Sequence, residues 1–283
     1  MISKISKILL LCLCFASFVL SLIQWCSDTT VYNSPEDLNE EYNLDYGRFN
    51  SISKILSHLD SAAFLQDQPL TSSRYYVDCL DTLFRNRFFH GYSHYNIEDD
   101  YISYFLGKYV WYDLSASVDP EFILSHNQAA CSQQSIAFMA VLRGKGYKVR
   151  KVGLNGHFCT EVFYDGSWHL YDTNLEPSFK KDRPIPSVEY LTINKSSLYE
   201  AYKGKLNKEG LDYMFADPQL EVVDELPGKN IRMFHKVTQV LSHSLWLFIF
   251  IVYLLLEFSF LQRLKVYVRN FRLVFQPRTK EVY

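Results

Sequence analysis

The sequence lacks a surplus of either charge: 29 Lys and Arg stand against 31 Asp and Glu, a formal net charge of −2 at pH 7. Without a basic excess the chain has no electrostatic footprint for a polyphosphate, so nucleic acid is not expected as a partner. It lacks internal repeats and low-complexity tracts, so the polar middle reads as one domain. His90, His94 and His126, with the acids around them, lack metal-ligand spacing, and neither a metal nor another cofactor is expected. Long apolar runs are missing everywhere except at the two ends. Aromatics are plentiful, with 21 Tyr and 21 Phe, enough to fill a substantial core.

At the first end, Lys4 and Lys7 precede an uncharged apolar run from Ile8 to Ile23, the form of a signal peptide or signal anchor. Val19 and Ser21 are poorly placed for cleavage, and Trp25 before Cys26 rules out a lipobox. An uncleaved anchor over residues 1–26 is expected. At the other end, VLSHSLWLFIFIVYLLLEFSFL (240–261) has 22 residues against the ~20 that cross a bilayer, with His243 and Glu257 as its strongly polar side chains. Arg263, Lys265, Arg269, Arg272, Arg278 and Lys280 follow before the first acid, Glu281. The positive-inside rule places this tail in the cytoplasm, and Lys4 and Lys7 with it. The expected organisation is therefore a two-pass protein of the cell membrane with both termini cytoplasmic. Residues 1–26 are the anchor, 27–236 a non-cytoplasmic domain, 237–261 a transmembrane helix and 262–283 a basic tail. The lipid bilayer is the first expected partner.

Between the anchors, SPEDL (34–38) reads as a helix start, with a Ser cap, Pro at the first helical position and acids in the first turn. Tyr76, Cys79, Leu80, Leu83 and Phe84 keep helical spacing, as do Ile102, Phe105 and Leu106. DPEFILSH (119–126) predicts a short helix opened by Asp119 and Pro120. In NQAACSQQSIAFMAVLRGKGY (127–147), Ile136, Met139, Ala140 and Val141 form an apolar face, and Gly144 or Gly146 ends the helix. Cys131 falls at its beginning. KVRKVGL (148–154) alternates like a strand. Past 175, Pro184 and Pro186 break the chain, a helix is expected from about 187 to 203, and 218–230 leads towards the membrane.

Two turn signals organise NGHFCTEVFYDGSWHLYD (155–172). Asn155-Gly156 and Asp165-Gly166 each predict a two-residue hairpin turn, which gives strands at about 148–154, 157–164 and 167–173. The turns fix the register: Leu154 opposite His157, Val152 opposite Cys159, Arg150 opposite Glu161, Phe163 opposite Trp168 and Glu161 opposite Leu170. Alternation then puts His157, Cys159, Glu161, Leu170 and Asp172 on one face and His169 on the other. A twelve-residue helix descending ~18 Å from Cys131 and a seven-residue strand returning ~23 Å bring His157 level with Cys131. Cys131, His157 and Asp172 thereby converge.

That trio suits nucleophilic catalysis. A helix N-terminus and a neighbouring imidazolium both favour the thiolate of Cys131. His157 is the base and later the acid, and Asp172 orients the imidazole. The backbone N–H of Cys131 is a natural oxyanion donor, with Gln128, Gln133 and Gln134 as candidates for a second. Glu161 is expected to pair with Arg150, Trp168 to be core that also walls the site, and Cys159 to be a small core residue. A Cys79–Cys159 disulfide would leave Cys131 free, and the sequence alone does not decide it.

The order ACSQQSIAFMAVLRGKGYKVRKVG followed by GHFCTEVFYDGSWHLYDT resembles the core of the transglutaminase-like cysteine enzymes over roughly residues 100–178. The resemblance implies an α+β fold: a transglutaminase-like (papain-like) core with the nucleophile helix packed on a small antiparallel sheet, flanked here by two transmembrane helices. It implies Cys131 as nucleophile, His157 as base and Asp172 as orienting acid. Glu161 and Trp168 match the motif's Glu and its aromatic before the acid. The short Cys-to-His interval favours the bacterial, protease-like branch. The expected activity is a cysteine peptidase, amidase or acyltransferase acting on a peptide or protein through a thioester. The rival expectation is a catalytically inactive domain that binds or scaffolds within a cell-envelope or polysaccharide-assembly complex.

Overall fold

The computed structural model describes residues 4–26, 42–69, 73–180 and 183–274, so the helix start expected at 34–38 lies outside the described residues. The chain is α+β and divides into two compact units. One comprises residues 28–96 and 103–236; the other gathers 1–27, 97–102 and 237–283. The short segment 97–102 groups with the apolar helices.

The larger unit is built around an antiparallel sheet of order β3-β2-β1-β4, with β1 at Lys148–Leu154, β2 at His157–Tyr164, β3 at Ser167–Tyr171 and β4 at Gln219–Leu220. The observed register has Leu154 opposite His157, Arg150 opposite Glu161 and Phe163 opposite Trp168. At the second turn both Asp165 (φ 49°) and Gly166 (φ 78°) take the left-handed conformation that a two-residue hairpin favours. At the first turn Gly156 alone does so (φ 75°). Asn155 is held instead by Met214 and Tyr213, whose carbonyls accept its backbone and side-chain N–H at 3.1 and 2.8 Å.

Each sheet face has its own core. Val149, Val162, Tyr164 and Tyr171 pack with α2 (Ile52–Leu65), α3 (Arg74–Arg87), α5 (Pro120–Leu124) and α6 (Cys131–Gly144). Nearly every residue of α6 from Gln133 to Leu142 is buried, as a helix walled on all sides requires. Asp119 caps α5 by accepting the Phe122 N–H at 3.0 Å. Val152, Leu154, Cys159 and Leu170 line the other face and pack with α7 (Val188–Ile193), α8 (Lys195–Ala201) and α9 (Lys208–Met214).

The helix expected over 187–203 is broken at Asn194, which ends α7 and caps α8 by accepting the Ser197 N–H. The segment expected to lead to the membrane first adds β4 to the sheet edge. There Glu221 and Asp224 donate their N–H groups to Lys151 and Val149, at 3.0 and 2.8 Å.

In the smaller unit, α1 (Lys4–Cys26) and the apolar part of α10 (Lys229–Val274) are each long and apolar enough to cross a membrane. They run antiparallel. Ser21 donates to the His243 carbonyl at 3.0 Å, Phe18 meets Trp246 edge-on at 5.1 Å, and Lys7 pairs with Glu257 at 2.7 Å. Asp100, from α4 (Ile97–Tyr109), is fully buried in this unit and accepts from Thr238 and Ser242, both at 2.6 Å.

Candidate active site

Cys131 is the first residue of α6. Its N-cap, Ala130, has no side-chain oxygen to bond the first-turn N–H groups, which therefore remain directed at whatever sits over the helix end. The sulfur sits there. The backbone N–H groups of Ser132 and Phe158 and the His157 side chain are near enough to it to favour the thiolate. α6 packs on the sheet face opposite the one that carries His157, so helix and histidine meet at the end of the sheet, where β2 begins. Ser135 fastens the two elements by donating to the Phe158 carbonyl at 3.3 Å.

His157 Nε2 lies 2.9 Å from Asp172 Oδ2. With that nitrogen engaged, Nδ1 is the one left for Cys131. Asp172 itself is fixed from three further directions. Its Oδ1 accepts the N–H groups of Asn174 and Leu175 at 3.2 and 3.0 Å, and its Oδ2 accepts the Tyr202 hydroxyl at 3.0 Å. The base and the acid are buried, at 6% and 1% exposure, whereas the thiol is half-buried.

The charges follow from this geometry. Burial alone would raise the Cys131 pKa, but the bond and charge of His157 and the two backbone N–H groups bring it below the ordinary thiol value. Burial alone would lower that of His157. The Asp172 carboxylate and the bond to Cys131 reverse the sign and raise it to about 10. Asp172, which burial would push up, is held below the usual carboxylate range chiefly by His157. All three shifts favour the charged forms, a thiolate beside an imidazolium beside a carboxylate.

The remaining expected residues lie elsewhere or are already engaged. Cys159 is buried among Val152, Leu170 and Val188, and burial, reinforced by the charges of Asp172 and Glu161, pushes its pKa well above the ordinary value. Cys79 packs in the opposite core, so the two thiols are not joined and all six cysteines are free. Glu161, fully buried, bonds Arg150 Nε at 2.7 Å and the Val188 N–H at 2.7 Å. His169 is buried against Tyr164 and bonded to the Ile185 carbonyl at 2.6 Å. Trp168 stacks under Arg150 and lines a cavity of about 450 Å³ that none of Cys131, His157 or Asp172 lines.

Two of the glutamine candidates for the oxyanion are engaged at both ends of the amide. Gln133 donates to the Ser93 and Ser117 carbonyls and accepts the Ser93 N–H, each at 2.8 Å. Gln134 donates to the Ala129 carbonyl and accepts from Thr173. Gln128 donates to the Tyr92 carbonyl at 2.7 Å. Among the described residues no group of three or more His, Cys, Asp or Glu is placed to hold a metal ion.

Sequence reasoning missed Tyr202, which supports Asp172 from 30 residues away, after α8. No spacing or motif marks it; its role depends on how α8 folds back over the sheet. Comparison of the chain with family models, curated proteins and solved structures finds no match.

Proposed function

We propose that this chain is a membrane-anchored thiol enzyme of the transglutaminase-like, papain-like kind that cleaves or transfers a peptide amide through a thioester. The observation that carries the reading is the row Cys131–His157–Asp172, with the thiol at an uncapped helix start and the imidazole held by a buried, four-times-bonded carboxylate.

In this reading the Cys131 thiolate attacks the amide carbon, and the carbonyl's electron pair moves onto oxygen, where the Cys131 N–H receives it. His157 gives its proton to the departing amine as the C–N bond breaks, which leaves a thioester and a neutral imidazole. Water then approaches the thioester, His157 takes its proton, and the acid product leaves as the thiolate reforms. Asp172 holds the ring in place through both proton transfers. Hydrolysis is the favoured outcome, and an amine acceptor would make the same steps a transfer. The lysines before the first apolar run and the basic residues after the second support a two-pass arrangement, with both termini cytoplasmic and the thiol on the other side.

Alkylation with iodoacetamide at pH 6, where ordinary thiols are protonated, tests the thiol assignment. Rapid modification mapped to Cys131 is expected, lost in Cys131→Ala and retained in Cys159→Ala. Equal modification of wild type and Cys131→Ala at this pH would sink the reading.

A further inference from the structure

The second half of α4 and the turn after it carry an apolar surface with no partner in the chain. From Ser103 to Tyr112 the sequence is SYFLGKYVWY, with Lys108 as its single charge. Phe105 is exposed, and Tyr109, Val110, Trp111 and Tyr112 follow in succession at 72%, 70%, 63% and 59% exposure. Elsewhere in the larger unit, among the described residues, exposed large apolar side chains come singly or in neighbouring pairs. A concentration of this kind marks an interaction surface.

The segment is braced in this exposed position. Gly107 leaves room for Ser115, which packs where a side chain would stand. The Val110 and Trp111 N–H groups both donate to the Leu106 carbonyl, at 2.9 and 3.1 Å, and the Leu114 N–H donates to the Trp111 carbonyl at 3.0 Å. The turn thus keeps its backbone bonds internal, as a segment that leaves water must. Phe105 stacks with Tyr109 at 6.2 Å, and the Lys108 ammonium lies 5.6 Å from the Tyr104 and Tyr109 rings. These two tyrosines and Lys108, with Trp111 and Tyr112, wall an open recess of about 490 Å³, room for a phosphate headgroup beside the ammonium.

Chain continuity limits how far this surface lies from the second span. The Ile102 N–H donates to the Ser242 hydroxyl at 3.4 Å, and Ser242 belongs to the apolar stretch 240–261. Asp100 is the one non-helical residue within α4, so the helix runs on from Tyr101 to Tyr109. At 1.5 Å per residue, Tyr109 is only ~11 Å of helix beyond Ile102. Tyr and Trp favour the level of the headgroups, where a Lys can extend its ammonium to the polar side.

We infer that residues 105–112 are an interfacial anchor: Tyr109, Val110 and Trp111 enter the boundary between headgroups and acyl chains of the non-cytoplasmic leaflet, and Lys108 reaches the lipid phosphates. This rests on the two-pass reading above. Tyrosines, a tryptophan and a lone cation, all within a short helix of the span, favour lipid over a second copy of the chain as the covering partner.

Tryptophan quenching in the full chain tests the anchor. The chain is reconstituted into phosphatidylcholine vesicles whose acyl chains carry bromine either near the glycerol or near the bilayer centre. The emission lost in Trp111→Phe isolates Trp111, and that lost in Trp246→Phe isolates Trp246, which lies inside the second span. Trp111 is expected to be quenched more by the shallow bromine than by the deep one and to be shielded from aqueous acrylamide, with Trp246 quenched by bromine as well. Trp111 open to acrylamide and untouched by bromine, while Trp246 is quenched, overturns the anchor and leaves the two-pass reading standing. Trp111 shielded from both quenchers, with the shielding lost as the chain is diluted in lipid, assigns the surface to a second copy and also overturns it. A Trp246 untouched by bromine removes the two-pass reading, and the anchor with it.

Discussion

Cys131 and Cys159 are two thiols near the same charged groups, and they end in opposite states. Asp172 lies close enough to act on both: on Cys131 through His157, on Cys159 directly. Cys131 starts a helix, has the Ser132 and Phe158 N–H groups nearby and faces an imidazolium, and these favour its thiolate. Cys159 sits mid-strand in an apolar layer, its sulfur 3.9 Å from the Val152 carbonyl, and the carboxylates around it only disfavour ionisation. Proximity to a charged cluster therefore does not make a reactive cysteine. What matters is whether the groups aimed at the sulfur are donors or acceptors.

Breaking the Asp172 support has the largest effect. Asp172→Ala removes the orienting carboxylate, and ester turnover is expected to fall by about 10²–10⁴-fold. Asp172→Asn tests the charge separately. The folded-state pKa of His157 is raised, so the imidazolium persists up to about 10 and is lost as pH rises through that value. Cys131 is lowered, so its thiolate appears as pH climbs through a value below the ordinary one. The ion pair fills the window between. Without the carboxylate's charge the alkaline limit should move down from about 10, read from the pH profile of alkylation. Superimposable profiles would remove Asp172's electrostatic part.

Glu161 sharpens the contrast from the structural side. Truncating it leaves the Arg150 guanidinium, 14% exposed, with the more distant and exposed Glu189 at 3.9 Å, and orphans the Val188 N–H. Glu161→Ala should cost about 3–5 kcal/mol in denaturant unfolding, as loss of one partner of a buried pair does. Alkylation per folded molecule should stay at the wild-type rate. The mildest change is Cys159→Ala. It should cost about 1 kcal/mol, the centre of the usual range for single substitutions, and leave the pH profile of Cys131 where it was. A shifted profile would show that the two thiols are linked.

The parts of the fold that were legible in the sequence are those set by near neighbours. Two glycine turns and a period of two fixed the pairing of Leu154 with His157 and of Phe163 with Trp168, and that pairing separated His157 from His169. The start of α6 at Cys131 was legible from its apolar face and its glycine end. What escaped depends on remote chain. Asn194 interrupts an otherwise helical stretch because its side chain can cap the next turn. β4 forms because residues after 218 find the free edge of β1. Tyr202 lies outside the matched stretch, and only the folded chain brings it to Asp172. The side of the sheet that α6 covers was equally invisible, since alternation marks two faces without saying which helix takes which.

The ion pair between Lys7 and Glu257 has a consequence for how the protein is made. The two residues are 250 positions apart. At translation rates of ~5–20 residues per second, Lys7 waits roughly ten to fifty seconds before its counter-charge exists. During that interval, in the two-pass arrangement proposed above, the first helix is held by its apolar surface and the basic bias of its flank. The later of the two helices to leave the ribosome is the one that locks the first.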